Sequence, residues 1–171
     1  MGSAGPRLIR PVSPADWIEG RRLVEEYIAS LGMDLSFQDL GRELDELSVE
    51  YGPPAGEFLL AEIDGVRVGC AGLRRFNDGV GEMKRLYTVP AVRGRGVGRL
   101  LAQGVVAAAR ERGYGRLVLD TLPLMAEAQA LYRSMGFRTM APYRFNPIAG
   151  TTFLELELLS GDGPEYLTDS R

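Results

Sequence analysis

A loop of alternating glycines and arginines could bind phosphate groups. Its sequence is Arg93-Gly94-Arg95-Gly96-Val97-Gly98-Arg99, and it stands between an apolar stretch that ends at Pro90 and a run with helical spacing. Glycines let an anion approach the backbone closely, and the first N–H groups of a helix point outward without partners. The arginines add positive charge and bidentate donors. Together these residues predict a pyrophosphate site.

Three kinds of phosphate ligand could occupy such a loop. A nucleoside triphosphate loop needs Gly-x-x-x-x-Gly-Lys-Ser/Thr, which the chain lacks. A dinucleotide fingerprint needs Gly-x-Gly-x-x-Gly, whereas Gly94, Gly96 and Gly98 follow a shorter spacing. Asp120, at the end of the next predicted strand, keeps a dinucleotide as an alternative. The third ligand is coenzyme A.

Two stretches of the chain resemble the signatures of one family. Arg93-x-x-Gly96-x-Gly98 matches the Arg/Gln-x-x-Gly-x-Gly/Ala pattern of the GNAT superfamily of N-acetyltransferases, and residues 86–90 are similar to the strand before that family's loop. Downstream, Tyr132 lies in a predicted helix that closes on Gly136-Phe137, which resembles the second signature. The resemblance covers residues 57–159 and implies an acetyltransferase that uses acetyl-CoA.

Composition excludes several kinds of chemistry. The chain has 171 residues, one cysteine and no histidine, which excludes Ser-His-Asp and Cys-His catalysis and removes the usual zinc ligands. We therefore expect no metal, and a base that is a carboxylate, a tyrosine, a lysine or a water. The net charge of −3 argues against nucleic acid as a partner. With no signal peptide or membrane-spanning run recognisable and only one cysteine, we expect a cytoplasmic protein without a membrane partner.

Hydrophobic periodicity and turn signals predict one domain over residues 1–171, with a core at 7–159 and a flexible tail at 160–171. Predicted strands cover residues 7–12, 57–63, 66–74, 82–89, 116–121, 137–140 and 152–159. Two predicted helices cover residues 14–31 and 38–49. A third follows Gly98 and extends to Gly113, and a fourth begins at Pro123. Tight turns make the three middle strands an antiparallel meander, and a helical crossover makes the next pair parallel. The resemblance implies an α/β fold whose mixed sheet of about seven strands is flanked by about four helices.

The resemblance also assigns positions to the coenzyme. Its pantetheine arm would pair with the backbone of Leu86, Tyr87 and Thr88, where a main-chain N–H would face the thioester oxygen. Its phosphates would lie on the loop from Arg93 to Arg99. Arg133 would meet a phosphate or would simply be a surface residue.

Glu82 and Tyr132 are the predicted catalytic pair. Strand alternation places Glu82, Lys84, Leu86 and Thr88 on one face. Glu82 would be the base, with a structural ion pair or a substrate anchor as alternatives, and Glu155 or Glu157 could replace it. Tyr132 would be the acid, because a phenol stays protonated at neutral pH and can donate to a thiolate; its alternative is a packing role.

The acceptor is predicted to be a primary amine of a small molecule or a peptide. Eight acidic residues between Asp39 and Asp64, together with Glu155 and Glu157, favour a cationic amine, although a solvated helix face would have the same composition. A non-catalytic domain that senses acyl-CoA is the alternative function from another class. A homodimer is left open.

Overall fold

The computed structural model describes residue 2 and residues 4–159, so the predicted tail at 160–171 lies outside the described residues. The strands are β1 (Arg7–Ile9), β2 (Glu57–Ile63), β3 (Val66–Asn77), β4 (Val80–Thr88), β5 (Arg116–Thr121), β6 (Arg138–Met140) and β7 (Thr152–Glu157). The helices are α1 (Pro14–Leu31), α2 (Leu40–Asp45), α3 (Leu47–Glu50), α4 (Val97–Glu111) and α5 (Ala126–Ser134), and 3₁₀ turns cover Ser36–Gln38 and Pro90–Val92.

The strands form one mixed sheet in the order β1-β2-β3-β4-β5-β7-β6. Strands β2, β3 and β4 are the predicted antiparallel meander, and β4 pairs with β5 in parallel across the α4 crossover. This confirms the predicted α/β fold and its seven-stranded mixed sheet. The described residues contain five helices, because the predicted helix at 38–49 is interrupted between α2 and α3. Its backbone leaves helical geometry at Glu46, where φ is −119°.

Several element ends differ from the predicted ones. β1 stops at Ile9 instead of residue 12, ahead of Pro11, which has no N–H for a strand ladder. β3 continues three residues past Arg74, and β4 begins at Val80, so the turn between them is tighter than predicted. α4 begins at Val97 inside the glycine loop, and α5 begins at Ala126, after a turn that contains Pro123.

Helices cover both faces of the sheet. On one face, α4 buries Leu101, Val105 and Ala109 against residues of the central strands. On the other face, α1 buries Leu23 and Val24 in a second cluster that includes residues of α3 and β2. The 3.6-residue spacing of the apolar positions in α4 makes this possible, since it aligns them along one side of the helix.

A β-bulge in β4 changes which side chains share a face. Cys70 of β3 pairs with Tyr87 and Gly72 pairs with Lys84, so Arg85 and Leu86 together lie opposite one β3 residue. Arg85 takes the left-handed conformation, with φ of 60°, as the bulge requires. The extra residue shifts the alternation by one position. The prediction of one shared face is therefore wrong: Glu82 and Lys84 lie on the α1 face, whereas Leu86 and Thr88 lie on the α4 face.

The bulge directs Arg85 to a buried carboxylate on α2. Arg85 Nη2 donates to Glu43 Oε2 at 2.6 Å, and the Tyr51 hydroxyl also donates to Glu43. Glu43 is 5% exposed, so the alternative of a solvated helix face does not hold for Glu43. Burial raises the pKa of Glu43, but the Arg85 charge and these hydrogen bonds outweigh burial and leave the pKa below its usual value.

We expect Glu43→Gln to lower the free energy of unfolding by about 3–5 kcal/mol, because it leaves Arg85 buried without an opposite charge. Glu46→Gln is the matched control, since Glu46 pairs with Arg42 at an exposed position, where an ion pair contributes about 0–1 kcal/mol. Urea unfolding of both variants measures the difference. Equal stabilities would contradict this role for the buried pair. Because the folded pKa of Glu43 is lowered, its contribution should be lost as the pH falls below about 4.3.

Candidate active site

A gap opens in the sheet where β4 and β5 diverge. Their parallel pairing ends at Glu82 and Val118, and a pocket fills the space beyond. Its walls come from both strands, from α1, α5 and the 31–38 connection, and from the 142–147 loop through Asn146. Its lining includes Tyr27, Lys84, Leu86, Asp120, Tyr132 and Asn146.

The predicted phosphate loop leads from the end of β4 to the start of α4. Gly94 and Gly96 have φ of 79° and 80°, a conformation that a side chain would strain, and a Cβ at either position would meet open space. Gly96 caps α4, and its carbonyl accepts from the Leu100 N–H. The N–H groups that come before Leu100 in the first turn of α4 lack helical acceptors, as at any helix start. Val97 is buried and fixes this turn against the core.

The predicted arginines surround this helix start. Arg93, Arg95, Arg99 and Arg133 are exposed. Arg99 Nη2 donates to Ser134 Oγ at 2.9 Å, which links the loop to α5. Among residues 4–159, Arg93, Arg95 and Arg133 make no ion pair. Unpaired guanidinium groups beside open N–H donors form a surface suited to an anion.

The end of β4 offers backbone groups to the gap. The Val89 N–H donates to the Val68 carbonyl of β3. Because successive residues of a strand direct their backbone groups to opposite edges, the amides of Leu86 and Thr88 face the gap and that of Tyr87 faces β3. Two of the three predicted backbone positions are thus available to a ligand between the strands.

Tyr132 lies in the pocket wall, on α5 directly before Arg133. The residue is 6% exposed and its ring packs on Phe137 at 5.6 Å between centroids. Within residues 4–159 its hydroxyl has no hydrogen-bond partner. Burial raises the pKa of the phenol above its usual value, so it stays protonated at neutral pH. An acid and a packing residue are both compatible with this geometry.

Glu82 lies beside the gap, outside the lining of the pocket. It is fully buried. Its carboxylate accepts from Arg74 Nε at 2.9 Å, from the Tyr143 hydroxyl at 2.7 Å and from Arg144 Nη2 at 2.8 Å. Three donors, two of them charged, match the ion-pair alternative for Glu82. Its role as the base stays a prediction.

Two pocket residues were missed by the sequence-based prediction of the catalytic site. Asp120 is the next-to-last residue of β5 and lines the pocket, where Asn146 Nδ2 donates to its Oδ2 at 3.2 Å. Lys84 also lines the pocket, is 6% exposed and is the only lysine among 20 basic residues. The parallel crossover between β4 and β5 could have identified both residues. Extending the pairing of Glu82 with Val118 by two residues places Lys84 opposite Asp120.

The acidic stretch does not form a cation site. Six of its eight carboxylates pair with arginines, namely Glu43, Asp45, Glu46, Glu50, Glu57 and Glu62. Glu155 pairs with Arg116 at 2.9 Å, and Glu157 lies 3.6 Å from Arg138. Neither glutamate lines the pocket. The charge pattern that favoured a cationic acceptor therefore reflects structural ion pairs.

Over the described ranges, no helix is both long and apolar enough to cross a membrane. The described residues also contain no group of three or more histidine, cysteine, aspartate or glutamate side chains that could hold a metal ion.

Comparison with known proteins identifies the family. The model of the acetyltransferase (GNAT) family matches residues 21–137. An uncharacterized N-acetyltransferase of Schizosaccharomyces pombe is 40% identical over 147 residues, covering 85% of this chain and 90% of that protein.

Solved structures agree in fold. An acetyltransferase of the GNAT family from Staphylococcus aureus has a TM-score of 0.75 and 20% identity, covering 91% of this chain and all of that one. A structure from Salmonella typhimurium, described as a putative acetyltransferase with its cofactor acetyl-CoA, has a TM-score of 0.66 and 22% identity. The match covers 95% of this chain and 99% of that one. On the match of the family model and the identity to the yeast relative, this chain belongs to the GNAT family of acetyltransferases, and is an acyltransferase enzyme.

Proposed function

We propose that this enzyme transfers the acetyl group of acetyl-CoA to a primary amine of a small molecule. The observation that carries the proposal is the continuity of the site. The open helix start at Gly96, with its arginines, leads along the free edge of β4 into the gap that holds Tyr132 and Asp120. One continuous surface thus offers a site for the anionic part of a coenzyme and a site at which its acetyl group can react.

The residues present fit coenzyme A. The loop from Arg93 to Arg99 would hold its pyrophosphate, and the amides of Leu86 and Thr88 would pair with its pantetheine arm. When bound, the coenzyme supplies an activated acetyl thioester. An amide directed at the thioester oxygen would stabilise the negative charge that develops there. Binding energy at the phosphates would then hold the acetyl carbon in place for attack.

Proton transfers complete the proposed reaction. The acceptor enters as an ammonium ion and must lose one proton, for which we assign Asp120 as the base. The amine attacks the acetyl carbon, so that a C–N bond forms and the C–S bond breaks. Tyr132 would protonate the departing thiolate and regain a proton as the new amide loses its second one. The net products are an N-acetyl amine, coenzyme A and one proton.

Asp120 is a better candidate for the base than Glu82. Asp120 lines the pocket and accepts one hydrogen bond from the neutral Asn146 side chain. Glu82 accepts from two arginines and a tyrosine and has no exposed surface. Both oxygens of the Glu82 carboxylate are already occupied by these donors, so an acceptor in the pocket has no direct access to them. Glu82 then acts by fixing Tyr143 and Arg144 beside the pocket.

A domain that senses acyl-CoA without turnover is the second candidate function. The exposed arginines and glycines of the loop would serve such a domain equally well. Turnover separates the two, because a sensing domain would bind acetyl-CoA and release no coenzyme A thiol with any amine. A cytoplasmic location, a single-domain organisation and the absence of nucleic-acid and membrane partners stay predictions.

We expect Gly98→Val to weaken acetyl-CoA binding by about 100-fold or more. A Cβ at Gly98 lies 3.8 Å from Leu131 and 3.9 Å from Thr88, which is ordinary contact, so the protein should fold. The branched side chain would occupy space beside the loop and block phosphate hydrogen bonds, each contributing about 1.5–3 kcal/mol. Calorimetric titration with acetyl-CoA measures the loss.

Gly41→Val is the matched control, because a Cβ at Gly41 on α2 meets open space. It should bind acetyl-CoA as the wild type does. Equal affinity of the Gly98 variant and the wild type would contradict the assignment of the loop. Tighter binding of NAD than of acetyl-CoA by the wild type would favour the dinucleotide alternative.

A further inference from the structure

Lys84 is a buried cation without a partner, and it lies in the gap between β4 and β5. The residue is 6% exposed and lines the pocket. Among residues 4–159, no group makes a hydrogen bond or an ion pair with its ammonium. Buried charges are normally paired, because removal from water is costly. An ammonium without a direct partner at a pocket wall is available to pair with an anionic group of a ligand.

The composition of the chain sets this position apart. Lys84 is the only lysine in a protein whose other basic residues are all arginine. Its neighbour Arg85 is satisfied by Glu43, and Arg74 on the adjacent strand is satisfied by Glu82 and Glu50. Lys84 is thus the cation of this region that remains available to a ligand in the described part of the chain.

Asp120 faces Lys84 across the gap. The pairing of Glu82 with Val118 is the last before the strands diverge, and Lys84 and Asp120 each follow two residues later. Side chains two residues apart point to the same face, so the two charges flank one space. No ion pair joins them. The wall therefore presents a cation and an anion in register on neighbouring strands.

We propose that the acceptor is an α-amino acid or a related zwitterion, whose carboxylate pairs with Lys84 and whose amine lies against Asp120. This rests on the proposed function and names its substrate class. The ammonium and the carboxylate that an α-amino acid carries on one carbon match two opposite charges on adjacent strands. The wall also contains the apolar residues Leu31, Leu35, Leu122, Met125 and Ala128, which would contact the side chain of a test acceptor such as leucine.

The electrostatics of Lys84 agree with an anionic ligand. Burial lowers the pKa of its ammonium to about 8, with Arg85 and Arg74 acting in the same direction and Glu82 and Asp120 opposing them. A bound carboxylate would favour the charged form. Lysine suits such a site because its flexible stem adapts to a ligand, whereas the neighbouring Arg85 and Arg74 are held in ion pairs.

Matched acceptors test the proposal. Leucine, leucinamide and isopentylamine share one side chain, but only leucine carries a carboxylate. With the full-length wild type, we expect kcat/KM from coenzyme A release to be about 10- to 150-fold higher for leucine, the span of one charge-assisted hydrogen bond. In Lys84→Met this preference should disappear through a raised KM for leucine. Lys84→Arg should restore part of the preference for leucine. Arg110→Met is the control at an exposed position of α4, and it should retain the full preference.

Other outcomes would overturn the assignment. A wild type that prefers isopentylamine, or a Lys84→Met variant that retains the preference, excludes Lys84 as the carboxylate anchor. An equal loss of turnover with all three acceptors in Lys84→Met would make the lysine a base instead. If no amine is acetylated, the proposed function fails, yet calorimetry with N-acetylleucine and N-acetylleucinamide still tests the anchor. Equal affinities for these two compounds would reject it.

Discussion

Tyr132→Phe is expected to lower turnover by about 10²–10⁴-fold, the usual span of general acid catalysis. The variant keeps the aromatic ring that packs on Phe137, and it removes a hydroxyl that has no hydrogen-bond partner among residues 4–159. Stability should therefore change by no more than about 1.5 kcal/mol. Acetyl-CoA affinity should stay near the wild-type value. Steady-state kinetics beside a calorimetric titration measures rate and affinity separately.

Tyr114→Phe is the control for this experiment. The Tyr114 hydroxyl donates to the Ala55 carbonyl at 2.7 Å, away from the gap, so its loss should lower stability and leave turnover unchanged. Full activity of Tyr132→Phe at saturating substrate would remove the phenol from the mechanism and leave water as the acid. A loss of affinity without a loss of rate would make Tyr132 a coenzyme contact.

Asp120→Asn is expected to lower turnover at pH 7 by about 10²–10⁴-fold. The amide has nearly the shape of the carboxylate, but it cannot take a proton from the acceptor. Part of the activity should return at high pH, where the free amine needs no base. The pH dependence of kcat for the variant and the wild type measures this recovery.

Glu82→Gln distinguishes the two carboxylates. If Glu82 is structural, its replacement should reduce stability, because Arg74 and Arg144 lose a buried counter-charge. The loss of turnover should then be similar at neutral and at high pH. Recovery at high pH in Glu82→Gln, together with unchanged kinetics of Asp120→Asn, would return the role of base to Glu82.

The fold could be predicted well because its signals are local. Asp64-Gly65 specifies a hairpin, and the apolar spacing in α4 specifies a helix that crosses between parallel strands. The glycine loop could also be identified as a candidate site, since its proposed role depends on the backbone conformations that Gly94 and Gly96 permit.

The side chains that β4 directs to each face of the sheet could not be predicted, because a single bulge changes their alternation. The extra residue at Arg85 reverses the alternation, so Glu82 and Lys84 separate from Leu86 and Thr88. Nothing in the sequence marks Arg85 as a residue that takes a positive φ. Ion pairs over long sequence distances, such as that of Glu43 with Arg85, likewise have no local signal. For this reason the acidic stretch resembled a cation site.

A crystal structure of the full-length protein with acetyl-CoA tests the central claim most directly. We expect the pyrophosphate to accept hydrogen bonds from the N–H groups at the start of α4, with the pantetheine arm along Leu86 and Thr88. The thioester sulfur should then lie within about 3.5 Å of the Tyr132 hydroxyl, the reach of a hydrogen bond. A coenzyme bound elsewhere, or with its thioester outside the gap between β4 and β5, would contradict the account.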